Sequence, residues 1–467
     1  MNSRYEAATS IRRARAPLHG LLRATLLALA LFSPYVVGVW ARFGRRLSAG
    51  ALGATLVLLG VLWVLSGSRS VRSHKVVVAI VFCFLSVTLL DIMARPLIGG
   101  ARSPGFAVAW PPMPLVRRYL PNTRFRGTIY GELAQTPGLK RYREYHEMSF
   151  VTDRFGFRNA APVNEPLDVI ALGDSYTAAH NATQEAMWST ILSKQYGLRV
   201  YNLAVADDGP WQEFTNLMLE IDRLRIKPRG TVVLWNLFTA NDLSVACYPI
   251  FRRDQLPWRH GLGRLASEFS AFRSQSPLGR VLARTMKRTG LASQDTGLVL
   301  KNFVDGSGII FYAGFARVAD RRLDDVRRDP NYNCLRQTIS AMKRFADSRN
   351  LTVAIMVSPP SEEVYSWVLH GASPWSTTAD PSGFVLAVQE MARENHIPLL
   401  DLKPSLVEAS KRVYQESGHL LWARDDSHWN TDGNVEVAKV AYKFYTSVES
   451  HVADGVHFSR DRVSTRR

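Results

Sequence analysis

The 467-residue chain is predicted to form an α/β domain, with a parallel sheet between helix layers, preceded by three transmembrane helices. Two observations predict this arrangement. From residue 166 onward, short apolar runs alternate with stretches of helical periodicity, which is typical of a parallel sheet. Before residue 100, three long apolar stretches follow one another, and each is long enough to cross a bilayer as a helix.

The apolar stretches cover about residues 24–41, 47–68 and 76–94, and Asp91 is their only charged residue. A cleaved signal peptide is less favoured, because its apolar core runs only about 7–15 residues. Arginine and lysine are more numerous on the side of the N-terminus than in the first outer loop, which predicts a cytoplasmic N-terminus. We therefore expect a protein of the inner (plasma) membrane, with residue 100 onward in the periplasm or outside the cell.

The predicted organisation has four parts. Residues 1–96 form a membrane domain, 97–165 a connector with short strands, 166–450 the α/β domain and 451–467 a basic tail. Residues 245–330 interrupt the alternation without clear strand periodicity and have a glycine-rich tip at residues 305–308. An insertion at the active end of a sheet is typically a cap or a substrate wall.

The formal net charge of +18 is unevenly distributed. Residues 1–100 hold twelve Arg and Lys against two acidic residues, and residues 251–330 hold fifteen against eight. The first excess indicates membrane topology rather than nucleic-acid binding. The second segment could hold an anionic glycan or anionic lipid headgroups, or be a solvated cap surface.

The chain has three cysteines, which bear on its cellular compartment and on whether it binds a metal or cofactor. Cys83 lies in the third apolar stretch, whereas Cys247 and Cys334 lie in the outer part. An extracytoplasmic location permits a disulfide between them, and two buried free thiols fit the pattern equally well. No histidine pair has helical zinc spacing and no Cys-x-x-Cys occurs, so we expect neither a metal nor a cofactor.

The α/β domain is predicted to contain five strands and five helices in alternation. The strands are 168–172, 198–203, 231–236, 351–357 and 397–401, and the helices are 182–196, 210–226, 333–349, 382–395 and 433–447. Reacting groups gather at the carboxyl ends of such strands. Ser175 follows the first strand, residues 202–209 follow the second, and Asn241 follows the third.

A serine nucleophile site can be assembled from these positions. Serine needs a positioned base, usually histidine, whose tautomer a carboxylate fixes. His428 is the candidate base, and Asp425 or Asp426 is its partner. Ser175 is expected at the N-terminus of the following helix, where its own N–H and the Asn241 amide would face the oxyanion.

The chain here resembles the SGNH hydrolases, also called the GDSL family, over about residues 148–447. The matching blocks are Gly173-Asp-Ser-Tyr176, Tyr201–Pro210, Ala240-Asn-Asp242 and Asp425-Asp-Ser-His-Trp429. The resemblance implies a flavodoxin-like sheet and cleavage or transfer of acyl esters. The lead-in Thr152–Asn159 is similar to that of membrane-anchored bacterial members.

Two departures from the family pattern concern the site. The second block usually has glycine five residues after its asparagine, where this chain has Asp207. A carboxylate beside a forming oxyanion is unfavourable, so either Asp207 points away, Gly209 supplies the donor, or the site is impaired. The family's usual spacing selects Asp425 as the acid, but members with a His-Trp pair often use the residue two before histidine, which favours Asp426.

Three functions remain open at this level. The first is a membrane-anchored serine esterase that acts on O-acyl esters of a glycan or lipid. The second is an O-acyltransferase that modifies an exported polysaccharide, for which a membrane partner would have to supply the acyl donor. The third is a non-catalytic glycan-binding or assembly protein with the same fold, which Asp207 keeps in consideration.

Overall fold

The computed structural model describes residues 107–109, 117–135, 137–160, 163–228, 230–247, 297–373 and 375–453. The three predicted transmembrane helices, most of the basic tail and residues 248–296 of the predicted cap lie outside the described residues. Within the described part, no helix combines the length and the apolar character needed to cross a membrane. All described residues belong to one compact unit.

The described chain contains one central sheet and three two-stranded pairs. In chain order the strands are β1 (Ala107–Ala109), β2 (Arg117–Tyr119), β3 (Arg124–Ile129), β4 (His146–Val151), β5 (Val169–Gly173), β6 (Val200–Asn202), β7 (Thr231–Phe238), β8 (Leu298–Asn302), β9 (Gly308–Tyr312), β10 (Leu351–Ser358) and β11 (Leu399–Asp401). The central sheet has the order β6-β5-β7-β10-β11, and all its pairings are parallel. Counted along the chain this is the order 2-1-3-4-5, which is flavodoxin-like. The predicted parallel sheet is confirmed.

Helices follow the strands of the sheet, as predicted, with several short additions. They are α1 (Trp188–Tyr196), α2 (Pro210–Glu220), α3 (Asp242–Val245), α4 (Ala313–Ala319), α5 (Leu323–Arg327), α6 (Tyr332–Ser348), α7 (Ser361–Val364), α8 (Ser366–His370), α9 (Gly383–Glu394), α10 (Lys403–Ser417) and α11 (Thr431–Ala453). The sequence analysis did not identify α10. This helix buries only four of its fifteen residues, so its apolar stripe is narrow.

The sheet carries a hydrophobic core on each face. Along β7, Val233 and Trp235 pack with residues of α2, α6 and α9, whereas Val232 and Leu234 pack with residues of α1, α10 and α11. Successive strand side chains point to opposite faces, so both halves of the alternation are apolar here. All eight residues of β7 are buried, which explains why this strand appears in the sequence as one continuous apolar run.

The described part of the predicted cap contains regular structure. Strands β8 and β9 form an antiparallel hairpin with residues 303–307 at its tip, although no strand periodicity was evident in the sequence. The Ile310 N–H donates to the Arg424 carbonyl oxygen at 2.8 Å, so the hairpin borders the segment that leads to His428. Cys247 and Cys334 are joined by a disulfide, with their Cα atoms 5.2 Å apart.

The predicted connector contributes to the same core as the sheet. Strands β3 and β4 form the expected antiparallel hairpin. Ile129 and Phe157 are almost completely buried and belong to the cluster that contains Leu203 and Leu217. The connector therefore packs as part of the α/β unit, which brings its backbone close to the carboxyl edge of the sheet.

Candidate active site

Ser175 lies in the turn directly after β5. The preceding Gly173 pairs with Asn236 of β7, and a Cβ atom at Gly173 would lie 2.8 Å from the Asn236 carbonyl oxygen. Real Cβ atoms do not approach an oxygen so closely, so this position requires glycine. Ser175 is 9 % exposed, at the edge where the segments after β5, β6 and β7 meet.

A short turn, rather than a long helix, carries the chain away from Ser175. The His180 N–H donates to the Ser175 carbonyl oxygen at 3.0 Å, and Ala179 leaves the helical region with φ +50°. The next long helix, α1, begins only at Trp188. The prediction that Ser175 stands at the N-terminus of the following helix is therefore wrong, and the dipole of that helix does not act on the oxyanion.

Arg158 of the connector fixes this turn. Its side chain is buried, and its guanidinium donates to the carbonyl oxygens of Ala178 (2.7 Å), Ala179 (2.5 Å) and Ala182 (2.7 Å). It also donates to the carbonyl oxygen of Ser149 at 2.8 Å. Buried carbonyl groups need hydrogen-bond partners, and one guanidinium supplies a donor to each of these carbonyl groups of the turn. Arg158 thus positions the segment that bears Ser175.

The imidazole of His428 lies between Ser175 and Asp426. Its Nε2 atom is 2.8 Å from Ser175 Oγ, and its Nδ1 atom is 2.6 Å from Asp426 Oδ1. The Tyr176 hydroxyl donates to the Ser427 carbonyl oxygen, and the ring centroids of Tyr176 and His428 are 5.2 Å apart. The structure therefore joins a serine and a histidine 253 residues apart in the geometry of a catalytic triad.

Asp426 is the carboxylate that orients the histidine. Its Oδ1 atom accepts both the His428 Nδ1 hydrogen bond and the His428 backbone N–H, the latter at 3.0 Å. Its Oδ2 atom accepts the Glu132 backbone N–H at 2.9 Å. Burial alone raises the pKa of Asp426, but the charge of His428 and the hydrogen bond to it outweigh burial and lower this pKa below its usual value.

Asp425 has a different environment, so its assignment as a candidate acid of the triad requires correction. Its Oδ2 atom accepts the backbone N–H groups of Gly131 and Glu144, both at 2.9 Å. The carboxylate thus faces the connector, and neighbouring residues of a tight loop point in different directions. Burial raises the pKa of Asp425 to about 6. Asp425 fastens the connector to the loop of Asp426.

The charge on His428 is set by its neighbours. Burial lowers the pKa of His428, but Asp426 and its hydrogen bond, followed by Glu132 and Asp174, raise this pKa to about 9. A histidine with these neighbours accepts a proton readily and holds it as a stabilised imidazolium. When its ring is neutral, His428 can therefore take the Ser175 proton during nucleophilic attack and return it to a leaving group.

Asp174 stabilises the turn that bears Ser175. This side chain is fully buried, and its Oδ1 atom accepts the Tyr176 N–H at 2.9 Å. The Asn241 Nδ2 atom lies 3.5 Å from the Asp174 Oδ2 atom. Burial raises the pKa of Asp174 to about 6, even though the hydrogen bond from Tyr176 and the charge of His428 oppose this shift. Asp174 thus acts as a cap of the turn.

The predicted oxyanion donors do not all point toward Ser175. The Gly209 N–H donates to Gln212 Oε1 at 3.2 Å, where it caps α2, so Gly209 is not a free donor and this prediction is wrong. Asp207 is exposed and adopts φ +62°, the left-handed conformation that favours glycine. The other candidates are the backbone N–H groups of Ser175 and Asp207 and the side-chain amide of Asn241, whose Nδ2 atom also lies 3.5 Å from Asp174 Oδ2.

Two residues near the triad were missed by the sequence analysis. His180 has its ring centroid 5.4 Å from that of His428, and burial lowers its pKa to about 4, which keeps it neutral. The feature of the sequence that could have revealed His180 was its position five residues after Ser175. Glu132 reaches the site from the connector, and because it lies 295 residues from its partner Ser427 in the chain, no local pattern could reveal it.

One group of side chains in the described residues has the composition of a metal site. Single ligand atoms of Glu132, Asp426 and His428 all lie within 4.8 Å of one another. However, His428 Nδ1 and Asp426 Oδ1 are already hydrogen-bonded to each other, and a cation there would break the triad. We therefore assign His428 and Asp426 to the triad rather than to metal binding.

The strand order and the convergence of the nucleophile, asparagine and histidine blocks at one sheet edge define an SGNH hydrolase-like fold. No family model matches the chain, and no curated protein matches it. Similar solved structures include the psychrotrophic esterase EstA from Pseudoalteromonas sp., in a form inhibited by monoethylphosphonate, with 11% identity and a TM-score of 0.31 over 60% of this chain and 96% of that chain.

Two further solved structures are similar at the same level. A protein assigned to the lipolytic G-D-S-L family from Desulfitobacterium hafniense DCB-2 has 15% identity and a TM-score of 0.28, over 60% of this chain and 98% of that chain. A protein from Bacillus subtilis has 10% identity and a TM-score of 0.34, over 65% of this chain and 68% of that chain. The functional interpretation below rests on the side chains of this chain.

Proposed function

We propose that the chain is a serine esterase that forms an acyl-enzyme on Ser175. The observation that carries this proposal is the hydrogen-bonded series Ser175–His428–Asp426, with distances of 2.8 and 2.6 Å. Such a series turns an inert hydroxyl into a nucleophile when the His428 ring is neutral. It needs no metal ion or cofactor for ester chemistry.

The reaction follows from the atoms in place. Ser175 Oγ attacks the ester carbonyl carbon while His428 Nε2 takes the Oγ proton, and Asp426 stabilises the imidazolium that forms. The Ser175 N–H and Asn241 would stabilise the tetrahedral oxyanion. As the intermediate collapses, His428 gives its proton to the leaving alcohol oxygen. Water then attacks the carbonyl carbon of the acyl-serine while His428 takes a proton from the water. His428 gives this proton to Ser175 Oγ as the acid is released.

The proposed setting is the outer side of a bacterial inner membrane, where the substrate would be an O-acylated glycan or lipid. The disulfide Cys247–Cys334 supports an oxidising compartment. The apolar stretches before residue 100 support an anchor in the membrane. With such an anchor, the full chain stays in the membrane pellet after an alkaline carbonate wash; release of the protein would contradict it.

Acyl transfer to a glycan hydroxyl is the second candidate function. Ser175 and His428 are only 9 % and 7 % exposed, which limits the access of bulk water to an acyl-serine and favours a bound acceptor. A partner in the membrane would then supply the acyl donor. The joined triad disfavours the third alternative, a non-catalytic binding protein.

The test compares the detergent-solubilised full chain with two serine variants on aryl acetates. Ser175→Ala is expected to lower kcat by at least about 10³-fold, because the nucleophile is lost. Ser193→Ala, which removes a hydroxyl that bonds within α1, is the matched control and should keep wild-type activity. Equal activity in wild type and Ser175→Ala, or none in either, would overturn the proposal. With an acceptor glycan present, acylated glycan indicates transfer.

A further inference from the structure

A second carboxylate, supplied by the connector, lies beside the imidazole of the triad. Glu132 Oε1 accepts the Ser427 hydroxyl at 2.6 Å, and that same hydroxyl oxygen lies 3.4 Å from His428 Nδ1. A carboxylate oxygen of Glu132 also lies within 4.8 Å of a ring nitrogen of His428 and of a carboxylate oxygen of Asp426. Glu132 is therefore linked to the edge of the ring that faces Asp426.

The main chain of the same residue holds the acid of the triad. The Glu132 N–H donates to Asp426 Oδ2 at 2.9 Å. The backbone of Glu132 thus contacts Asp426 and its side chain contacts Ser427, and both of these residues approach His428 Nδ1. In the part of the chain that the structure describes, Glu132 forms no ion pair with a lysine or arginine. Two carboxylates so close repel each other, and a positive charge on the ring relieves that repulsion.

We propose that Glu132 is a positioning residue of this site, which forms with Asp426 a pair of carboxylates that stabilises the imidazolium of His428. This inference rests on the proposed function. The proton moves only from Ser175 Oγ to His428 Nε2 and onward to the leaving oxygen, and Glu132 exchanges no proton. Its contribution is electrostatic and increases as the ring becomes charged in the transition state.

The charged groups around His428 determine how a change in the pKa of His428 is interpreted. The charged and titratable groups that face the ring are Asp426, Glu132, Asp174 and His180, and the ring of Tyr176 packs against it. Although part of Glu132 is exposed, desolvation of its carboxylate and the charge of Asp426 raise the pKa of Glu132.

The test variant is Glu132→Gln in the full chain. Glutamine keeps the backbone N–H for Asp426 and an oxygen acceptor for Ser427, and it replaces the charged carboxylate by a neutral amide of similar size. The readout is the rate at which a fluorophosphonate labels Ser175, measured from pH 5 to 10. This rate rises with pH as His428 loses its proton. Without the Glu132 charge the imidazolium is less stable, so the pKa of His428 falls.

The expected result has two parts. The acid limb of the profile moves to lower pH by about half a unit to one unit, and the plateau rate falls about tenfold. Glu132→Asp, which keeps the charge, is expected to retain the position of the wild-type acid limb. Glu147→Gln is the matched control, because this exposed carboxylate of β4 also accepts a hydroxyl, that of Thr128, without contacting the site.

The outcomes separate this inference from the proposed function. A Glu132→Gln profile that coincides with wild type would overturn the role of Glu132 alone, as would an equal shift in Glu147→Gln. Wild-type protein that is labelled at Ser175 but hydrolyses no ester would contradict the esterase and leave the Glu132 comparison valid. No labelling of the wild type at Ser175 would overturn both.

Discussion

Asp425 and Asp426 are adjacent carboxylates that acquire different tasks from their surroundings. Asp426 is hydrogen-bonded to a histidine that becomes cationic, which lowers its pKa. Asp425 is held by two backbone N–H groups of the connector, and burial raises its pKa to about 6. Residue type alone does not distinguish the two. The donors that each one meets decide which is catalytic.

Amide substitutions of the two aspartates should therefore have different effects. Asp426→Asn removes the charge that holds the His428 tautomer and is expected to lower kcat by about 10³–10⁴-fold with little loss of stability. Asp425→Asn should lower kcat less than about tenfold but reduce the free energy of unfolding by about 1–2 kcal/mol. Steady-state kinetics and thermal unfolding check this. A larger loss of kcat in Asp425→Asn would reverse the assignment.

At the scale of elements, the hairpin β3–β4 and the segment after it act as a brace for the site. The connection between β3 and β4 supplies the N–H groups of Gly131, Glu132 and Glu144 to the loop of His428. Arg158 holds the turn after Ser175 from the other side. Both halves of the triad therefore depend on residues that the sequence analysis placed outside the catalytic domain.

Arg158 offers a test of this brace. Arg158→Met leaves several buried carbonyl oxygens without donors, so the free energy of unfolding should fall by about 3 kcal/mol or more. Because the turn that bears Ser175 is then more mobile, kcat should fall by a larger factor than the factor by which KM changes. Arg154→Met, which changes an exposed arginine of the same motif, is the control and should behave as wild type. Unchanged kcat and stability in Arg158→Met would show that the turn keeps its conformation without Arg158.

Elements differed in how far the sequence revealed them. The strands β5, β7 and β10 were predictable because burial on both faces produces continuous apolar runs. The helix α10 and the hairpin β8–β9 were not, since α10 has a narrow apolar face and β8 is only half-buried along its length. The start of α1 was placed too early, because the chain before it forms a turn held by Arg158 over residues 178–182 and then a short 3-10 helix over Gln184–Ala186.

At the scale of the whole molecule, the disulfide joins the segment after β7 to helix α6. Cys247 and Cys334 are 87 positions apart, and the chain between them includes residues 248–296 together with the hairpin β8–β9. A cross-link of that span restricts the unfolded chain, which stabilises the folded state by about 4–5 kcal/mol in the chain-entropy account and often by less. The disulfide thereby links the two ends of the segment that contains the predicted cap.

Removal of the bridge should lower thermal stability without abolishing the chemistry. The double variant Cys247→Ser/Cys334→Ser is expected to melt several degrees below wild type, and a reducing agent should shift wild type alone. Thermal unfolding of the full chain in detergent, with and without reductant, measures this. Equal melting temperatures in all four samples would exclude a stabilising bridge. Ser175 labelling should persist, since neither cysteine contacts the triad.

The amino-acid sequence by itself determined the alternation of strands and helices, the parallel sheet and the identity of Ser175 and His428 as a candidate pair. These are properties of local periodicity and of short motifs. Only the tertiary structure decided which aspartate serves the histidine, which oxyanion donors remain, and that Glu132 and Arg158 support the site. Those choices depend on backbone donors and side chains brought from up to 295 positions away, and no local pattern encodes such contacts.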